Sequence, residues 1–199
     1  MASKKILKNK KYLQFTYPQR NSNYPNKLGS YLTKKFFGPN NLGLEVLDIG
    51  CGDGEFLNVF SKLGFEPIGV DVSPVDSDHE IYKVDLEEQQ LPLKDNSINF
   101  VFSKSVIEHI DHTHVTPFTR HSLEETLKMS GFEDVEVTYF YQLPFVWKNP
   151  ILKLIPKLVS ILPIPFRPFR KSFLPNSLNK FVRFSNEVML LAYARKEND

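Results

Sequence analysis

The sequence predicts an α/β fold whose centre is a doubly wound, mostly parallel β-sheet. Three observations predict it. Short apolar runs typical of buried strands alternate with segments whose apolar residues recur at helical spacing. The first such strand, "LEVLDIG" (44–50), runs straight into a glycine-rich turn, and a helical pattern follows that turn at once. The chain has 199 residues, of which 41% are apolar and 24% charged, and this suits one domain of that kind.

Composition narrows the class of protein further. A single cysteine, Cys51, excludes an internal disulfide framework and favours a reducing compartment. The basic N-terminus lacks the apolar run of a signal peptide, and no stretch of about 18 apolar residues could span a bilayer. We therefore expect a cytoplasmic protein, while the net charge of +2 indicates no particular partner.

The elements of the first half follow in order. Residues 1–24 are expected to form an N-terminal arm, and residues 25–199 a single domain. A helix is predicted over 24–38, where Gly38-Pro39 ends it. The first strand and glycine turn then lead to a helix over 55–64, and the patterns 66–73, 80–86 and 97–107 predict three further strands.

The second half begins with a predicted helix over 119–132. Ser122 is the expected N-cap, Glu125 the capping-box partner and Gly131 the end of the helix. Strands are predicted over 133–143 and 185–196.

The glycine turn carries the first functional signal. In "LDIGCGDGEF" (47–56), Gly50, Gly52 and Gly54 let the backbone approach a ligand closely, directly before a helix N-terminus. The spacing is not that of nicotinamide enzymes, and no Gly-Lys-Ser/Thr follows, which excludes a P-loop. Asp53 within the turn would repel a pyrophosphate but would tolerate a cation.

Two aspartates extend this signal. Asp71 ends the second predicted strand, the place from which a carboxylate binds a ribose diol in doubly wound folds. Asp85 is expected at the analogous position of the third strand, within reach of an adenine.

These motifs resemble those of the class I S-adenosylmethionine-dependent methyltransferases, in particular their type 11 group. The matching segments are "VLDIGCGDGEFL", "GVDVS", "VDLEEQQLPLKDNSINFVFSKSVIEHI" and "FTRHSLEETLKMSGFEDVEV", which occur in order over most of residues 44–137. The resemblance implies a Rossmann-like sheet, S-adenosylmethionine as cofactor, and a small-molecule, glycan or lipid-linked acceptor.

The resemblance also implies roles for individual residues. The methionine half of the cofactor would lie on Asp48, Gly50, Gly52 and Gly54, and the ribose on Asp71. Val72, Asp85 and Leu86 would contact the adenine, and Ser103 would face the methyl-transfer region. Cys51 belongs to the same cofactor-binding loop, and because nothing nearby would activate its thiol it is interpreted as a packing residue there and not as a nucleophile.

Four of the five histidines lie in "SVIEHIDHTHVTPFTRHSL" (105–123). By resemblance, His109 and His114 are candidates for a general base that takes a proton from the acceptor. His109 as a capping or packing residue is an equal alternative. A metal site with Glu108 and His109 is disfavoured, because Ser105 stands where a further carboxylate is expected, and no metal is predicted.

The same stretch departs from the family. The helix and fifth strand that normally separate "IEHI" from "THVTPFT" are missing. We therefore expect a sheet of six strands. Their order is 3-2-1-4-7-6 in the family's usual strand numbers, with strand 5 missing. This departure leaves a second function open: a protein that binds S-adenosylmethionine without turnover.

A basic, proline-rich insert is predicted at 143–184, before the last strand. Between Val137 and Asn186 the sequence has eight Lys or Arg residues and no Asp or Glu. In "ILKLIPKLVSIL" (151–162) the polar positions share one helical face, and Pro156 is expected to kink the helix. The insert is either a cap over the site or an element on a membrane surface, and its spread cations argue against nucleic acid.

Overall fold

The computed structural model describes residues 23–39, 41–74, 77–86, 88–104, 118–165 and 174–195. They fall into two compact units, one before Phe118 and one from Phe118 onward. The predicted division into an arm (1–24) and one domain (25–199) stays a prediction, since most of the arm lies outside these ranges.

The N-terminal unit is a parallel sheet with helices, as the sequence predicts. Its four strands lie side by side in the order third, second, first, fourth along the chain, and every neighbouring pair is parallel. The α/β class is thereby confirmed. In chain order the elements are α1 (Tyr24–Phe36), β1 (Glu45–Ile49), α2 (Glu55–Lys62), β2 (Glu66–Asp71), β3 (Glu80–Lys83) and β4 (Phe100–Ser103).

The core consists of apolar side chains that lie on both faces of this sheet. On one face Leu47, Val70 and Val84 are buried together. Elsewhere in the unit Phe60 of α2 is fully buried, with its ring centroid 5.2 Å from that of Phe102 and 5.6 Å from that of Phe65. Burial on both faces explains why β1 and β2 read as nearly continuous apolar runs.

Helix α1 packs against α2 through a glycine. A Cβ atom added at Gly29 would collide with the side chain of Val59, so only glycine allows this approach. The helix ends as predicted near Gly38, which has φ 63°, and the amides of Phe37 and Gly38 both donate to the carbonyl of Thr33.

The described part of the C-terminal unit contains an antiparallel strand pair and four helices besides a 3₁₀ turn. The two strands pair from Tyr141↔Val188 to Glu133↔Arg195. None of the helices in the described ranges is long and apolar enough to cross a bilayer. The elements are α3 (Arg120–Met129), β5 (Glu133–Tyr141), α4 (Pro144–Lys148), a 3₁₀ turn (Pro150–Lys153), α5 (Leu154–Ile161), α6 (Asn176–Asn186) and β6 (Val188–Arg195).

The predicted absence of the usual fifth strand bears on residues 105–117, which lie outside the described ranges. Between β4 and α3 the described residues form no strand. The described strands form one hydrogen-bonded sheet of four and one of two. The continuous six-stranded order stays a prediction.

The predicted cap of α3 is wrong by three residues. Thr119 is the N-cap: its hydroxyl accepts from the amide of Ser122 at 3.1 Å, and the Ser122 hydroxyl accepts from the amide of Thr119 at 2.9 Å. This pair satisfies two amides that the helix leaves unpaired, so the helix begins at Arg120. Glu125 instead pairs with His121, with 3.3 Å between Nε2 and Oε1.

At the kink predicted for Pro156, the segment changes from a 3₁₀ turn to α5 at Leu154, two residues before the proline. Pro156 lies in the first turn of α5 and is buried there. A proline in a first turn removes no intrahelical hydrogen bond, because the amide it lacks has no partner inside the helix. The irregularity falls just before it, at the junction between the 3₁₀ turn and α5.

Two leucines of the N-terminal unit test the account of the core. Leu57 is 0% exposed and Leu42 is 82% exposed. We expect Leu57→Ala to lower the free energy of unfolding by about 2–5 kcal/mol, since it leaves a cavity under the glycine turn. Leu42→Ala, the matched control, should change it by less than about 0.5 kcal/mol. Denaturant unfolding measures both, and equal effects would contradict this core.

Candidate functional site

The carboxyl ends of the four parallel strands meet at one edge of the sheet. Ile49 is paired with both Val70 and Ser103, and Asp71 is paired with Lys83. The residues that follow these strand ends therefore share this edge, where ligands bind in open α/β sheets. All the predicted cofactor-binding residues in the described ranges come from β1–β4 or from the segments directly after them.

The glycine turn after β1 depends on left-handed backbone conformations. Gly50, Gly52 and Gly54 have φ angles of 74°, 57° and 76°. The Gly50 amide donates to the carbonyl of Val70 at 2.7 Å, which ties the turn to β2. An added Cβ at Gly52 would meet no atom of the described residues within 4 Å. The backbone at Gly52 therefore borders open space that a ligand can occupy.

Asp71, the last residue of β2, holds the turn. Its Oδ2 accepts from the amide of Gly52 at 3.0 Å, and its Oδ1 accepts from the amide of Ser73 at 2.8 Å. Each carboxylate oxygen has a second lone pair, so Asp71 can accept further hydrogen bonds from hydroxyl groups. The predicted position of Asp71 at a strand end is confirmed.

Cys51 packs beneath the turn, against β2. A Cβ added at Gly69 would lie 2.7 Å from its Sγ, so the glycine makes room for the thiol. Burial, and then the charges of Asp48 and Asp71, raise the pKa of Cys51 to about 12. The thiol therefore stays protonated near neutral pH, and the thiolate needed for nucleophilic attack does not form.

Asp48 lies in β1, directly under the turn, and is only 3% exposed. Burial, and then the negative charge of Asp71, raise the pKa of this carboxyl from 3.8 to about 7. Near neutral pH the carboxyl is therefore poised between its acidic and ionised forms. A cation bound nearby would favour the ionised form.

The side of the edge formed by β2 and β3 is more apolar. Val72, directly after Asp71, is exposed, and the half-buried Leu86 packs against the core cluster of Leu47, Val70 and Val84. Asp85 does not end a strand as predicted: β3 stops at Lys83, and Asp85 follows two residues later. Its amide donates to Oε1 of Gln89 at 2.9 Å, which begins a tight turn there.

Ser103 ends β4 next to the end of β1. Its hydroxyl is buried, and within the described part of the chain it has no hydrogen-bond partner. Because buried hydroxyls are almost always paired in native proteins, this one is a candidate contact for a ligand.

Two residues near this edge were not predicted from the sequence. The Nζ atom of Lys104 lies 5.9 Å from the ring centroid of Tyr24, at the start of α1. Burial raises the pKa of the Tyr24 hydroxyl well above its usual range. In the sequence, the only sign of this contact is the aromatic residue directly before Pro25. That residue alone does not indicate which strand end its ring approaches.

The roles assigned to the histidines stay predictions, because Glu108, His109 and His114 lie outside the described ranges. Within those ranges no group of three or more His, Cys, Asp or Glu side chains could hold a metal ion. His79, which the sequence did not single out, lies near the turn: its Nε2 is 3.1 Å from Oδ1 of Asn58, in the first turns of α2.

The pKa of Asp48 predicts a pH-dependent stability. The folded-state pKa lies above the unfolded value, so the stability that this group contributes is complete below about pH 4 and is lost as pH rises through 7. The loss is up to about 4 kcal/mol. Asp48→Asn, which cannot ionise, should remove it. Chemical denaturation of both proteins between pH 4 and 8 measures the difference, and parallel profiles would contradict this assignment.

Comparison with known proteins bears on the family. The family model described as a methyltransferase domain matches residues 20–112. No curated protein matches the sequence at a significant level.

Two solved structures share the fold. A SAM-dependent methyltransferase from Archaeoglobus fulgidus is 20% identical, with a TM-score of 0.55, over 93% of this chain and 99% of that chain. Phosphoethanolamine N-methyltransferase 2 from Haemonchus contortus, in complex with phosphomonomethylethanolamine and S-adenosylhomocysteine, is 19% identical, with a TM-score of 0.53. That match covers 86% of this chain and 52% of the Haemonchus chain, so the present chain spans about half of that enzyme's length.

These findings agree with the geometry of the strand ends. At such identities the structural likeness concerns the fold, and the matched family model supplies the class of domain. The prediction from the motifs is supported at the level of the domain: residues 20–112 match the methyltransferase-domain model, and the solved structures share the fold.

Proposed function

We propose that the chain binds S-adenosylmethionine across the ends of β1–β4 and transfers its methyl group to a small-molecule acceptor. The observation that carries this proposal is the Asp71 carboxylate, which both holds the glycine turn and keeps acceptor capacity for a ribose. Further support comes from the negative charges around the glycine turn and from the open space at Gly52. The buried Ser103 hydroxyl, which has no partner among the described residues, also supports it.

The charge of the turn fits a cationic ligand. Asp48, Asp53 and Asp71 all lie close enough to Cys51 for their negative charges to raise its pKa. Three carboxylates around one turn disfavour a pyrophosphate and favour positive charge. S-adenosylmethionine carries a sulfonium and an α-amino group, and these are the charges that such a turn attracts.

The rest of the edge fits the nucleoside half. The two oxygens of Asp71 would accept from the two ribose hydroxyls, an arrangement that needs a carboxylate and a diol. The exposed side chain of Val72 offers an apolar surface to an adenine ring, and the segment of Asp85 and Leu86 would contact its edge.

The protein's part in the reaction is mainly alignment. The bound cofactor supplies an electrophilic methyl group, which an acceptor atom must approach in line with the bond that breaks. Ser103 would orient ligand atoms at the end of β4, and exclusion of water from this region would strengthen its polar contacts. His109 and His114 remain the proposed candidates for removing a proton from the acceptor.

The acceptor is proposed to be a small molecule. The proposal is supported by the Haemonchus enzyme, whose structure is a complex with phosphomonomethylethanolamine and S-adenosylhomocysteine. Glycan-linked and lipid-linked acceptors are the alternatives within the same reaction class.

A second function rests on the short segment between β4 and α3. In the sequence, only Asp111 and His112 separate Ile110 from Thr113, where the family that the motifs resemble has a helix and a further strand. The walls of an acceptor pocket normally come from such elements. A protein that binds the cofactor and has no turnover is therefore the competing proposal.

Binding of the cofactor tests the site directly. We expect S-adenosylhomocysteine to bind in calorimetry, and Asp71→Ala to weaken binding by about a hundredfold or more, because it removes two charged hydrogen bonds. Asp95→Ala, which removes an exposed carboxylate from a loop of the same unit, is the matched control and should leave binding unchanged. Equal affinities of the two variants would contradict the assigned site.

Turnover separates the two functions. Incubation with S-adenosylmethionine carrying a labelled methyl group and with a panel of amine, hydroxyl, glycan and lipid acceptors should label at least one small amine or hydroxyl compound. Binding of S-adenosylhomocysteine without any transfer would favour the second function. Binding of neither cofactor form would reject both.

A further inference from the structure

A stripe of exposed aliphatic side chains runs along the segment 151–162. Its members are between 43% and 71% exposed and recur every three or four residues, so they lie on one side of the 3₁₀ turn and α5. The apolar stripe consists of Ile151, Leu154, Ile155, Leu158, Ile161 and Leu162.

The opposite side of the same segment is packed. Pro156 is buried, Leu152 and Val159 are half-buried, and α5 packs against α6. The segment is therefore apolar on two sides: one is used within the C-terminal unit, and the apolar stripe faces away from it. A helix in water normally shows polar residues on its exposed side.

Cations border the apolar stripe. Lys153 and Lys157 are exposed on the flank between its two sides, and Lys148 is exposed just before the 3₁₀ turn. In the sequence from 137 to 186 there is no acidic residue. This combination of an aliphatic stripe and flanking lysines complements a surface that is apolar inside and negatively charged outside.

We propose that the apolar stripe docks on an anionic lipid bilayer surface. The segment would lie parallel to the membrane plane, with its leucines and isoleucines among the acyl chains and its lysines at the phosphates. A second copy of the chain fits less well, since a symmetric contact would bring lysines of both copies together with no acid in the segment to pair them. The docking is independent of methyl transfer and does not rest on it.

Vesicle flotation of the full chain tests the docking. The probes are vesicles of phosphatidylcholine alone and vesicles containing phosphatidylglycerol. We expect binding to the anionic vesicles that weakens at high salt. Leu154→Ser with Leu158→Ser should reduce the partition coefficient at least about tenfold, and each of Lys153→Gln and Lys157→Gln by about fivefold at low salt.

Met129→Ser is the matched control, because Met129 is 89% exposed on α3 of the same unit; its partition should not change. Should the leucine variant fail to fold, as judged by circular dichroism, Ile161→Ser with Leu162→Ser tests the same stripe at the C-terminal end of α5. Absence of binding to anionic vesicles, or an equal loss with Met129→Ser, would overturn the proposal. So would a dimer in solution that the stripe variants convert to a monomer, which would assign the stripe to a second copy.

Discussion

Asp71 accepts one hydrogen bond from Gly52 of the glycine turn and another from Ser73 beyond its own strand, and the geometry of the site depends on this pair. The turn consists largely of glycines with positive φ, which have little conformational preference of their own. The contacts with β2 restrict it: Val70 accepts from Gly50, and Asp71 from Gly52. The residue that would bind the ribose thus also shapes the loop that would bind the methionine half.

The same constraint creates an electrostatic cost. Burial already raises the pKa of the Asp48 carboxyl, and holding Asp71 against the turn places a negative charge nearby that raises it further. A bound cation would relieve this cost, because it would stabilise both carboxylates. The unliganded site is therefore less stable near neutral pH than its packing alone would make it, and ligand binding and folding are coupled through these two carboxyl groups.

The sequence predicts the N-terminal unit well, for a physical reason. Strands buried on both faces and glycines at strand ends are local patterns, so β1 to β4, the turn and Asp71 could be located from them. The failures depend on contacts between distant residues or on competition between neighbours. Thr119 and Ser122 are both capable caps, and only geometry decides between them. Helix α6 was not predicted, because its apolar pattern is split among basic and aromatic residues. The approach of Tyr24 to Lys104 was not predicted either, because it joins residues far apart in sequence.

The central claim is that one ligand site spans the ends of β1, β2 and β4. Amide signals of the protein, followed by nuclear magnetic resonance during titration with S-adenosylhomocysteine, test it most directly. The account predicts that the signals of Gly50, Gly52, Asp71 and Ser103 shift together, with one common affinity, while those of residues 154–162 stay in place. Shifts confined to the unit after residue 117, or none at saturating ligand, would contradict it.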